Sequence, residues 1–131
     1  MRYKKKMTKS DIIKRLQMLN FASGEYWLIT GGAMVLYGLR DTANDIDLGC
    51  SKALADMLEN SGYATSVLED GTRKICVAED IEIFEEWLFD EVDIRDGVPV
   101  ISLKGLLEMK KSLGRKKDID DIKLIEKALL Q

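Results

Sequence analysis

Apolar and polar positions along the chain follow two periods, and the switches between them divide it into short elements. Ile12, Ile13, Leu16 and Leu19 recur at helical spacing over residues 8–20, with Thr8 or Ser10 placed to cap. Tyr26-Trp27-Leu28-Ile29-Thr30 is an aromatic and β-branched run that stops at Gly31-Gly32, as a buried strand does. Ala33 to Tyr37 reads as a short helix closed by Gly38, and residues 39–44 as polar loop. Asp45 to Gly49 alternates acidic and apolar residues, which predicts a strand with two unlike faces. Ser51 then caps a helix carrying Ala53, Leu54, Met57 and Leu58 that ends at Gly62.

The second half reads as a hairpin followed by helices. Tyr63–Leu68 and Arg73–Ala78 flank an Asp70-Gly71 turn, and Asp80 to Phe84 is a further alternating strand. Residues 85–97 read as acidic and irregular. Val98-Pro99-Val100-Ile101 is a short extended piece that its proline assigns to an edge. Ser102 caps a helix that Gly114 breaks, and a last amphipathic helix carries Ile119, Ile122, Ile125 and Leu129 as its predicted buried stripe. The order is roughly α-β-α-β-α-β-β-β-α-α, an α+β domain. Asp45-Ile46-Asp47-Leu48 is faintly echoed by Asp80-Ile81-Glu82-Ile83.

Composition narrows the chemistry. The 131 residues fit one domain, without a linker or low-complexity segment, and the net charge of −3 disfavours whole-surface polyanion binding. There is no histidine, which excludes Ser-His-Asp and Cys-His machinery and imidazole metal sites. Cys50 and Cys76 make no CxxC and read as two reduced, buried thiols. The basic residues Arg2, Lys4, Lys5, Lys6 and Lys9 precede no apolar stretch of a secretory signal, and no run approaches a membrane span, so a cytoplasmic protein without membrane contact is expected. Basic stretches at residues 2–9 and 110–117 are solvated charge runs or phosphate contacts.

Chemistry must then run on carboxylates, lysine, arginine, hydroxyls and backbone amides. Asp45 and Asp47, two apart on a strand, share one sheet face about 6.5–7 Å apart, with Ile46 and Leu48 behind them. Two carboxylates so close repel unless a cation lies between them or one is protonated, and an oxygen-seeking divalent ion suits them. Glu82 can bring a third carboxylate from a neighbouring strand, enough in principle for two metal ions of a phosphoryl or nucleotidyl transfer. Gly31-Gly32, where a strand meets a helix, lets backbone approach a phosphate. The competing reading of each feature is ordinary: a solvated strand face and a tight turn.

Ile29-Thr30-Gly31-Gly32, twelve residues (33–44) and then Asp45-Ile46-Asp47-Leu48 together resemble the signature of the nucleotidyltransferase fold, the DNA polymerase beta superfamily. Arg40-Asp41-Thr42-Ala43-Asn44-Asp45-Ile46-Asp47 is similar to a run common in its small bacterial members. The ending, Lys110 and then Gly114-Arg115-Lys116-Lys117-Asp118, with Asp121 following, resembles small antibiotic nucleotidyltransferase-like and abortive-infection toxin-like members.

The resemblance implies a mixed central sheet flanked by helices, with two C-terminal helices. It implies that Asp45, Asp47 and Glu82 are catalytic and bind Mg²⁺ or Mn²⁺, with Asp80 as the fallback third acid. It also implies that Gly31, Gly32, Arg40, Thr42, Lys110, Arg115 and Lys117 meet a nucleoside triphosphate, with Asp118 orienting one of them. Glu82 stands where Asp is more usual. The length leaves no room for the helical substrate domain of larger members, so the resemblance leaves recognition of the second substrate undetermined, with a homodimer or a partner protein as one way to supply it. The expected activity is transfer of a nucleoside monophosphate to a hydroxyl on a small molecule, RNA end or protein. The alternative is a non-catalytic nucleotide-binding or toxin–antitoxin-type regulatory module.

Trp27 reads as core. Trp87 reads as packing or an oligomer contact, or as a stacking surface for a base or an acceptor ring.

Overall fold

The computed structural model describes residues 6–131, so Arg2, Lys4 and Lys5 lie outside the described residues. Helix α1 (Lys9–Leu19) starts at a capping box: the Thr8 hydroxyl accepts from the Asp11 amide and the Asp11 carboxylate accepts from the Thr8 amide. Between the two candidates, Thr8 is therefore the cap. β1 (Tyr26–Ile29) runs directly into α2 (Thr30–Leu36), and β2 (Ile46–Cys50) leads through Ser51, whose hydroxyl accepts from the Leu54 amide, into α3 (Lys52–Asn60). β3 (Ala64–Val67), β4 (Arg73–Ala78), β5 (Ile81–Glu85), β6 (Val92–Arg95) and β7 (Val98–Ile101) complete the strands. α4 (Leu103–Leu113), a 3-10 turn (Lys116–Asp118) and α5 (Ile119–Leu129) close the chain. No helix among the described residues is long and apolar enough to cross a membrane.

One seven-stranded mixed sheet runs in the order β3-β4-β5-β2-β1-β7-β6. β2 is parallel to β5 and antiparallel to β1. The faint sequence echo is realised as this parallel pair, with Ile46 opposite Ile81, Asp47 opposite Glu82 and Leu48 opposite Ile83. Alternation then sorts the faces. Leu28, Leu48, Ile75, Ile83 and Val100, all fully buried, line one side. α3 lies on that side, where Asp56 and Glu59 meet Arg73. The other side carries Trp27, Asp47, Gly49, Glu82 and Phe84 in neighbouring registers.

Four expectations are corrected. Residues 85–97 contain β6, whose four residues are all exposed, and β6 rather than β7 is the sheet edge. β7, Pro99 included, is buried between β1 and β6, and Pro99 faces Ile94. Val92-Asp93-Ile94-Arg95 does alternate apolar and polar residues, and Asp96-Gly97, at φ +51 and +77, is the two-residue turn that pairs it with β7; the acidic residues around it hide both signals. On α5 only Ile125 of the predicted stripe is fully buried. Ile119 and Leu129 are exposed, and Asp118 and Asp121 take buried places instead. Cys50 is buried, where burial raises its thiol to about 12, but Cys76 is exposed.

Gly49 couples the core to the second face. A β-carbon there would collide with Trp27 Nε1 and lie 2.7 Å from the Trp87 carbonyl oxygen. Only a hydrogen at this position lets the Trp27 indole cross β2 and donate to that carbonyl, at 2.7 Å. Gly49→Ala should destabilise the protein by about 1–3 kcal/mol, the usual cost of overpacking, as a drop in the urea midpoint at unchanged slope.

Candidate active site

The end of β1 is the strained point of the fold. Thr30, read from sequence as the last strand residue, has φ +53. A β-branched residue in the left-handed region is a real outlier, and such strain concentrates at functional sites. Here it turns the Thr30 hydroxyl onto the β2 face, where it donates to Asp47 Oδ2 at 2.8 Å. Asp47 is half-buried. Burial raises its pKa above the ordinary aspartate value, the Thr30 bond pulls it back, Glu82 and Asp45 push it further up, and Arg115 offsets them. The net direction is upward, set first by burial and only secondarily by the neighbouring carboxylates. Thr30→Val keeps the shape and removes the donor, so the Asp47 carboxyl should titrate at still higher pH in a carbon-detected NMR titration.

Asp45 and Asp47 open into a cavity of about 580 Å³ that Thr30, Gly31, Arg40, Phe84, Trp87 and Arg115 also line. Lys110, Lys117, Asp118 and Asp121 line it too. Gly31 sits at its wall, where a β-carbon would lie 3.0 Å from the Arg40 guanidinium. Gly32 is buried behind it, and a β-carbon there would meet Leu28 at 2.8 Å. The two glycines thus differ: Gly31 faces the cavity, whereas Gly32 is required by packing. Thr42 is half-buried and does not line the cavity.

Glu82 stands opposite Asp47 on the same face, but its carboxylate is engaged by Lys74 at 3.2 Å and Cys76 Sγ at 3.8 Å. Asp80, the alternative third acid, is held by Arg15 of α1 through two bonds of 2.6 and 2.7 Å. Glu82 is therefore the acid in register with Asp47, although it is not among the residues that line the cavity. Among the described residues no three acidic or thiol side chains form a ready-made metal cage. Asp45 and Asp47 still fit a magnesium-like ion, which is commonly held by one or two carboxylates together with substrate phosphates.

The C-terminal helices supply the cationic wall. Gly114, at φ +62, reverses the chain after α4 and brings the 3-10 turn and α5 back against it. Lys110, at 3% exposure, places its ammonium 3.3 Å from Asp118 and 3.1 Å from Asp121. Sequence reasoning put this ammonium on the triphosphate; in the structure two carboxylates hold it, as a staple between α4 and α5. The same carboxylates anchor two half-exposed guanidiniums at the rim: Arg115 to Asp118 at 2.6 and 3.1 Å, and Arg40 to Asp121 at 2.5 Å. Burial pushes the Asp118 carboxyl up, but Arg115 and Lys110 together outweigh it and hold it below the ordinary range. Asp121 closes the Lys110, Asp118, Asp121 ending read from the sequence, and although the resemblance gives it no role, the structure makes it the carboxylate shared by Lys110 and Arg40.

No protein-family model matches the chain, and no curated protein matches it in sequence. Solved structures do match it in fold. Lincosamide antibiotic adenylyltransferase LnuA, in its lincomycin-bound crystal structure, superposes with a TM-score of 0.58 at 18% identity, over 93% of this chain and 98% of that one. A proposed nucleotidyltransferase from Thermotoga maritima superposes with a TM-score of 0.56 at 17% identity, over 89% of this chain and 93% of that one. The chain has the nucleotidyltransferase fold, with its mixed sheet and paired C-terminal helices.

Proposed function

We propose that the protein is a metal-dependent nucleotidyltransferase that moves a nucleoside monophosphate from a triphosphate to a hydroxyl on a small molecule. The observation that carries this reading is a single cavity in which the Asp45–Asp47 pair faces Gly31, Arg40, Arg115 and Lys117. Carboxylates suited to a divalent ion and cations suited to phosphate oxygens meet there. Asp45 and Asp47 would hold Mg²⁺ or Mn²⁺, which when bound supplies charge neutralisation and Lewis-acid contact to the phosphates. The Asp118 and Asp121 carboxylates hold Arg115 and Arg40 toward the phosphate arm. Glu82 takes the proton of the acceptor hydroxyl, since no histidine is available. The acceptor oxygen forms a bond to the α-phosphorus, the bond from that phosphorus to the bridging oxygen breaks, and pyrophosphate leaves toward the arginines. A small-molecule acceptor is favoured by the likeness in fold to LnuA, whose structure holds lincomycin.

The test is incubation with each of ATP, CTP, GTP and UTP, Mg²⁺ and a panel of hydroxylated compounds that includes lincomycin. Pyrophosphate should form together with an acceptor heavier by one nucleoside monophosphate. Tight nucleotide binding with no pyrophosphate under any pairing would contradict the enzyme and favour a binding or regulatory module. One observation supports that second reading, namely the Lys74 ion pair that engages the Glu82 carboxylate.

A further inference from the structure

The cavity has two unlike walls, and strand order decides where each lies. β2, with Asp45 just before it and Asp47 near its start, is flanked by β1 on one side and β5 on the other. The β1 side continues into Gly31, beside which Arg40 stands, and faces the cationic rim. On the β5 side the lining is Phe84 and, just beyond the strand, Trp87, with Glu82 on the same strand but outside the lining. Phe84 and Trp87 are stacked, with ring centroids 4.7 Å apart and planes 21° apart. Both polar ends of Trp87 are fixed: its indole N–H donates to Thr72 Oγ1 at 3.1 Å, and its carbonyl accepts from Trp27 at 2.7 Å. The indole therefore has only ring surface to offer a ligand.

An in-line displacement at the α-phosphorus needs the attacking oxygen opposite the leaving pyrophosphate. With pyrophosphate toward Arg40 and Arg115, the attacking hydroxyl comes from the β5 side. We infer that the Phe84–Trp87 pair is the seat of the acceptor: a neutral, ring-bearing, hydroxylated small molecule lies on it and presents its hydroxyl toward Glu82 and the α-phosphorus. The inference rests on the transfer reading above and adds the acceptor's place and its apolar ring. The nucleobase is under no such constraint, because it hangs from the phosphorus through an oxygen outside the in-line axis. A preformed aromatic pair suits a ring because stacked rings attract beyond the area they bury.

Two tryptophans give two indole N–H signals in an NMR spectrum, and Trp87→Phe assigns them by deleting one. The probe is phenyl β-D-glucopyranoside, a neutral aromatic ring joined to sugar hydroxyls. It is titrated alone and with Mg²⁺ and α,β-methylene-ATP present. The Trp87 signal should move saturably, with an affinity unchanged within about twofold when the analogue is bound. Phe84→Ala should weaken the probe by about tenfold, the equivalent of 1.4 kcal/mol, and Phe84→Leu, which keeps bulk without the stack, by less. Absence of any probe shift while the analogue binds would overturn the acceptor seat alone. Displacement of the probe by the analogue would overturn it too and give the aromatic wall to the nucleobase. Failure of the analogue to perturb the Gly31 amide would overturn the transfer reading itself.

Discussion

Asp45→Asn and Asp47→Asn should each cut Mg²⁺-dependent pyrophosphate release by about a thousandfold or more, in the range found when a charge-stabilising group is removed from an active site. The same change at Asp47 should make the metal-free protein more stable. Asp47 is half-buried beside Glu82 and Asp45, and its folded pKa lies above the ordinary value. A carboxyl raised on folding gives its full stability contribution below its unfolded pKa and loses it as pH rises through the folded one. At neutral pH the ionised side chain therefore opposes folding. An asparagine retains an oxygen to accept from Thr30 and carries no charge. Melting curves without metal should place the Asp47→Asn variant above the parent at neutral pH, and the gap should close as the pH falls into the carboxylate range. A variant that loses activity and stability together would show that Asp47 serves the fold rather than the chemistry.

The largest loss of stability should follow Lys110→Met. Its ammonium, at 3% exposure, is the contact common to Asp118 and Asp121. Removing one partner of a buried ion cluster typically costs about 3–5 kcal/mol, because the remaining charges are left in a poor solvent. Arg115 and Arg40 stay on those carboxylates but reach them from the rim, half-exposed. Lys110→Met should therefore lower the chemical denaturation midpoint sharply and raise the Asp118 pKa, since Lys110 helps hold it down. Adding Asp118→Asn should recover part of the loss, the signature of an uncompensated charge rather than of a lost methylene stem. Nucleotide binding should weaken as well, through the loosened arginines.

The sequence announced much of this site, for reasons that can be stated residue by residue. The alternation in Asp45-Ile46-Asp47-Leu48 and in Asp80-Ile81-Glu82-Ile83 was readable because each strand buries one face and opens the other. Capping at Thr8, Ser51 and Ser102 was readable because a hydroxyl three residues before a free amide is a local event. What stayed hidden depends on partners far along the chain. The positive φ of Thr30 exists because β1 must stop and α2 begin at one residue, which no composition rule reports. Lys110 reads as an exposed cation at the end of α4 until α5 folds back and supplies Asp118 and Asp121. The separate tasks of Gly31 and Gly32 rest on which of them meets Leu28.

The central claim is that a divalent ion and a nucleotide meet at Asp45 and Asp47, where the chain enters β2. Mn²⁺ titrated into isotopically labelled protein with α,β-methylene-ATP tests it most directly, because paramagnetic broadening falls off steeply with distance and needs neither an acceptor nor turnover. The broadening should centre on the amides of Asp45, Asp47 and Glu82, reach Gly31 and Arg115 more weakly, and vanish in the Asp45→Asn, Asp47→Asn double variant. Broadening centred elsewhere on the molecule, or unchanged in that double variant, would contradict the account.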